Sequence, residues 1–116
     1  MAFTFASVSD DPITGIQTFS ATTDTSSAAG TFYTGFSPRY ILVYQETTPA
    51  QYEWFEGMTA AYMKKIVAAG TVTTDTTNGI TVKATVSATS GQGPYQVTLG
   101  TGCHTNSATF RITCFK

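Results

Sequence analysis

Residues 48–70, TPAQYEWFEGMTAAYMKKIVAAG, decide the fold, because local signals disagree there more than anywhere else in the chain. Thr48 before Pro49 is a good helix N-cap followed by proline at the first helical position, and Gly70 after KKIVAA reads as a helix stop. One long helix would satisfy those signals. Against it, Gly57 sits mid-segment at a cost of about 1 kcal/mol, and Tyr52, Trp54, Phe55 and Tyr62 spread around a helix instead of forming one stripe. Strand is therefore favoured over residues 51–58, with a short helical turn near Met58 to Tyr62 compatible with it. In a strand, side chains alternate across the sheet, so Glu53 and Glu56 fall on opposite faces.

Composition outside that stretch points the same way. The 116 residues make one domain, 1–116, large enough for one core. Charged residues are 11% of the chain, against roughly 25% in ordinary soluble domains, and hydroxyl-rich runs such as SATTDTSSAAGT favour strands and polar loops. A formal charge of -1, with Lys and Arg scattered apart from Lys64 and Lys65, provides no basic track for nucleic acid. The N-terminus MAFTFASVSDD lacks a basic n-region and an apolar h-region, and no apolar run approaches the ~18 residues that cross a bilayer. The expectation is a chain made and first folded in a cytoplasm, with no membrane partner and with Cys103 and Cys114 reduced and packed as small apolar groups.

The remaining segments read as strands and turns. MAFTFASV alternates, DDPITG turns, GIQTFSA is a second strand, and residues 21–30 form an exposed loop. Pro38 holds Ser37 extended, and Ile41, Leu42 and Val43 form a run suited to a central strand covered on both faces. Asn78-Gly79 predicts a type I′ hairpin between TVTTD and GITVKATVSA, the second arm placing Ile80, Val82, Ala84 and Val86 on one buried face. SGQGP is a further turn, and YQVTLG and TFRITCF read as a final pair of strands. The fold expected is all-β: an antiparallel β-sandwich, jelly-roll-like, with at most one short helix.

Three stretches in order, TGFSPRYILVYQETTPAQYEWFEGM, AAGTVTTDTTNGITV and VTLGTGCHTNSATFRITCF, carry a G-F-x-P-R opening, a Y-x-W-x-x-G-M segment, an A-A-G-T step, an N-G-I-T-V element and a last strand ending in Phe. In that order and composition residues 34–115 resemble small structural proteins of tailed-bacteriophage virions; the first 33 residues match nothing in the pattern. The resemblance implies a virion component, foremost a capsid decoration (cement) protein that stabilises the head shell. Its implied partners are the major capsid protein or neighbouring virion subunits, and further copies of itself, a trimer being favoured. It also implies that Gly35, Phe36, Pro38 and Arg39 open the central strand. A tail, baseplate or head-fibre component touching a host glycan is the alternative, and a carbohydrate-binding module the third reading.

Candidate chemistry is sparse. A glycosidase needs two carboxylates converging from about 5 to 9.5 Å, which alternation denies to Glu53 and Glu56, and nothing positions Glu46 as a substitute. The one histidine, His104, adjoins Cys103, with Cys114 beyond, which falls short of a four-ligand zinc set and puts adjacent side chains on opposite sides. No catalytic, metal or cofactor site is expected. Six Tyr, eight Phe and one Trp exceed what the core needs, so the candidate interface or packing anchors are Tyr52, Trp54, Phe55, Phe36, Arg39 and Tyr95. Trp54 or Tyr95 would be the stacking platform of a glycan site.

Overall fold

Period-two alternation is what the chain obeys almost throughout. In the computed structural model, which describes residues 2–11, 15–86 and 92–116, nine strands and a single 3-10 turn, Thr101–Cys103, are found among those residues. The strands are β1 (Phe3–Asp11), β2 (Ile16–Thr23), β3 (Gly30–Thr34), β4 (Tyr40–Gln45), β5 (Ala50–Phe55), β6 (Tyr62–Ile66), β7 (Val72–Ala84), β8 (Tyr95–Leu99) and β9 (Thr109–Phe115). They form one antiparallel sheet in the order β1-β2-β9-β4-β5-β6-β7-β8-β3. The sheet curls until its two ends approach, with the Phe5 and Phe32 rings 5.0 Å apart, so the sandwich is barrel-like and nearly closed.

Curling converts one face of every strand into the core. Phe19 and Ala21 of β2, Ile41 and Val43 of β4, Tyr52 and Trp54 of β5, and Phe110, Ile112 and Cys114 of β9 all point inward and are buried. Gln45, also buried, donates from Nε2 to the Thr105 hydroxyl at 3.1 Å and accepts from the Thr48 N–H, so its amide is satisfied inside the core.

Residues 48–70 contain two strands and two turns. β5 carries Tyr52 and Trp54 inward and ends at Phe55; Glu56 and Gly57 turn, with the Met58 N–H donating to the Phe55 carbonyl and Gly57 at φ +93°. No helical turn follows: Tyr62 N–H closes a four-residue turn onto the Thr59 carbonyl, with Ala61 at φ +67°. The Gly70 stop signal belongs to a hairpin joining β6 and β7. There Gly70 N–H donates to the Val67 carbonyl and Val67 N–H to the Thr71 carbonyl, and φ +89° at Gly70 explains why glycine is required.

The hairpin expected at Asn78-Gly79 is not formed. β7 continues through it, Val72–Asp75 pairing with β6 and Ile80–Ala84 with β8, while residues 76–79 bulge out between Asp75 and Ile80. The Asp75 carboxylate holds the bulge by accepting from the N–H groups of Thr77 (3.0 Å) and Asn78 (2.8 Å). Gly79 is needed for closeness rather than for positive φ: its N–H donates to the Ala61 carbonyl at 2.9 Å, and a Cβ there would lie 2.7 Å from that oxygen. The buried face of the second half fades, from Ile80 fully buried to Val86 94% exposed.

Two further expectations are corrected. β8 and β9 do not pair; the loop between them carries the chain across the barrel, so that β8 joins β7 and β3 while β9 is inserted between β2 and β4. β4 is central in the sheet but covered on one face only, with Leu42 half-buried on the outside. Residues 25–29 are exposed as expected, although β2 runs on to Thr23, and Asp24 ties the loop's start through Asp24 N–H to the Ala2 carbonyl. Parts of the DDPITG and SGQGP turns, and the end of the GITVKATVSA arm, lie outside the described residues.

Candidate docking surface

The same alternation that fills the core sends a second set of apolar side chains outward. Cα partners run Ile16↔Phe115, Tyr40↔Phe115 and Tyr40↔Phe55, so four side chains stand side by side across β2, β9, β4 and β5. Three ladder steps make this row about 14 Å wide. The Tyr40 ring lies 5.3 Å from Phe55 and 5.7 Å from Phe115, both tilted, as aromatic pairs prefer. Ile16 and Phe55 remain 40% and 42% exposed.

Polar groups border the row. The Tyr40 hydroxyl donates to Glu53 Oε1 at 2.5 Å, and Lys64 Nζ stands 3.6 Å from Glu53 Oε2. Burial, then the Glu53 hydrogen bond and charge, push the Tyr40 phenol up to about 12. Farther along, Arg111 pairs with Glu46, beside the outward Tyr44. An aromatic centre with a charged rim is the anatomy of a protein-binding patch.

The anchors named from the sequence separate into three groups. Phe55 belongs to the exterior row. Tyr52 and Trp54 point the other way, 3% and 6% exposed, and Phe36 is likewise buried, at the bend after β3. A buried indole cannot act as a sugar platform, and burial also raises the Tyr52 phenol, its environment including Gln45 and Thr105. Arg39 is exposed in the bend before β4, where its N–H donates to the Phe115 carbonyl and its carbonyl accepts from Glu56 N–H. Tyr95 is half-buried at the start of β8, far along the sheet from the row.

The carboxylates and the histidine are placed by the same geometry. Glu53 faces outward on β5, whereas Glu56 sits beyond the strand in the turn, so the opposite-face argument does not apply to it. His104 packs edge-on against Phe3, ring centroids 5.4 Å apart, with a buried Nε2 that makes no hydrogen bond among the described residues. Cys103 directs its thiol to Met63 Sδ at 3.4 Å, and both cysteines are free and buried. Among the described residues no three His, Cys, Asp or Glu side chains gather as a metal set.

Ile16, Tyr40 and Phe115 were not singled out from the sequence. Each lies on the outward parity of its strand, but that they adjoin depends on β9 entering between β2 and β4, which no local signal announces. No family model, curated protein or solved structure matches the chain.

Proposed function

We propose that this chain is a structural protein of a tailed-bacteriophage virion, a capsid decoration protein that docks on the head shell and works by assembly, without turnover. The observation that carries the reading is the exterior row of Ile16, Phe115, Tyr40 and Phe55, set on four consecutive strands of one sheet and bordered by Glu53 and Lys64, with the Arg111–Glu46 pair farther along the same face. The motif order over residues 34–115 supplies the virion context. A rigid domain presenting such a row can bridge neighbouring shell subunits, and weak contacts then add across many copies. Self-association, with a trimer favoured, belongs to the same proposal.

Cryo-electron microscopy of purified particles from cells that produce the chain tests this directly. The reading expects density for the barrel on the outer shell, with the β2-β9-β4-β5 face against a neighbouring subunit. Density confined to the tail or fibres, or a chain missing from the particles by mass spectrometry, overturns it.

A further inference from the structure

The two strands that end the sheet face each other without pairing. Nine antiparallel strands, counted among the described residues, leave the first and last pointing the same way, and Phe3 beside Gly30 with Phe5 beside Phe32 shows that β1 and β3 run parallel. Among the described residues β1 has a ladder only with β2, and β3 only with β8. Each therefore presents one row of main-chain donors and acceptors to the seam between them. The seam contains a cleft of about 680 Å³ lined by Phe5, Phe19 and Phe32, the last two rings 4.7 Å apart. Phe3 closes one end against Gly30, where an added Cβ would lie 2.7 Å from the phenylalanine Cβ. Beyond the other end, Gly35 N–H donates to Gln17 Oε1 at 2.7 Å.

We infer that this seam is a slot for an extended arm of a partner protein, which enters antiparallel to both β1 and β3 and lays alternate apolar side chains on Phe5, Phe19 and Phe32. The walls decide the chemistry of the occupant. A hydrocarbon chain would cover the rings but leave both strand edges dry and unpaired, whereas a polypeptide supplies donors and acceptors on both sides at the strand repeat. Direction follows from parity, because one added strand restores antiparallel pairing all the way around. A second copy fits poorly, since each of its own edge strands is backed by a whole barrel; a free arm is required. A strand between β1 and β3 needs about 9.6 Å, two ladder spacings, so entry parts both the Phe3–Gly30 and the Phe5–Phe32 contacts and replaces them with two ladders. This slot is a different surface from the exterior row and stands or falls without it.

The test uses the intact chain, ¹⁵N-labelled, and a short synthetic peptide that alternates threonine with valine or phenylalanine between terminal lysines. Amide exchange in residues 4–8 and 31–33 is expected to slow on adding the peptide. The same peptide N-methylated at alternate residues, which keeps its side chains but loses donors, is expected to bind at least about tenfold more weakly. Failure of the peptide to bind, equal binding of the N-methylated form, or binding of dodecanoate alone overturns the inference. So does a free protein in which those edge amides already exchange as slowly as the amides of β4.

Discussion

Tyr40 and Glu53 sit on neighbouring strands, two residues out of register, and the phenol donates to the carboxylate at 2.5 Å on the outer face of the barrel. The bond fixes the tyrosine ring between Phe55 and Phe115 and leaves Glu53 shared with Lys64. Tyr40→Phe keeps the ring and removes the bond, so urea unfolding should show a loss of about 0.5–1.5 kcal/mol. A stability unchanged from the parent would mean that the ring is held by packing alone.

Trp54 is a core residue, paired across the ladder with Ile41. Trp54→Ala should cost about 3–5 kcal/mol, the range for emptying a buried aromatic site. Denaturant unfolding measures it, and a loss below about 1 kcal/mol would be the mark of an exposed ring.

Acid stability should respond to Asp75. The Asn78 N–H is the largest influence holding its carboxyl below the ordinary 3.8, with Thr77 N–H and the Lys65 charge assisting against a burial penalty. A lowered folded-state value means stability that is complete above 3.8 and is lost as pH falls through the folded value. Asp75→Asn keeps an acceptor for both N–H groups and should flatten this part of the acid profile. Asp75→Ala should lower stability by about 1 kcal/mol at neutral pH as well. Equilibrium unfolding across the acid range, compared among the three proteins, separates the charge from the hydrogen bonds.

At the alkaline end the sign reverses. Burial pushes the Cys103 and Cys114 thiols from 9.0 up to about 12, and burial with Glu53 pushes Tyr40 from 10.0 up to about 12. Raised folded-state values mean stability that is complete below pH 9.0 and is lost as pH rises toward about 12. Cys103→Ala with Cys114→Ala should flatten the start of that decline, and Tyr40→Phe its later part. An alkaline unfolding profile identical in all variants would contradict the burial of these groups.

How much of this was legible in the sequence depends on the range of the signal. Composition and period-two alternation were enough for the all-β fold, and Gly57 with the missing helical stripe for the strand at Tyr52 and Trp54, because these signals act on each segment locally. Asn78-Gly79 misled because the turn preference of that pair is a local one, and it was outweighed by close packing of Gly79 on the Ala61 carbonyl and by the Asp75 cap. The pairing of β9 with β2 and β4 is non-local: Phe115 meets Ile16 across almost the whole chain. Its consequence, the exterior row, was therefore visible only at Phe55, the one member that stood out as an aromatic in an unusual cluster.

The most direct test of the central claim is a binding isotherm of the purified chain on particles stripped of it, comparing the parent with Phe55→Asp. Phe55 is 42% exposed and rests on the Tyr40 ring, so the variant should stay folded and lose only about 0.5–1.5 kcal/mol, the worth of that ring pair, in thermal unfolding. Binding to the shell should weaken at least about tenfold as a charge is set at the exposed β5 end of the apolar row, beside Tyr40. A variant that folds normally and binds as tightly as the parent would contradict the assignment of this face to docking.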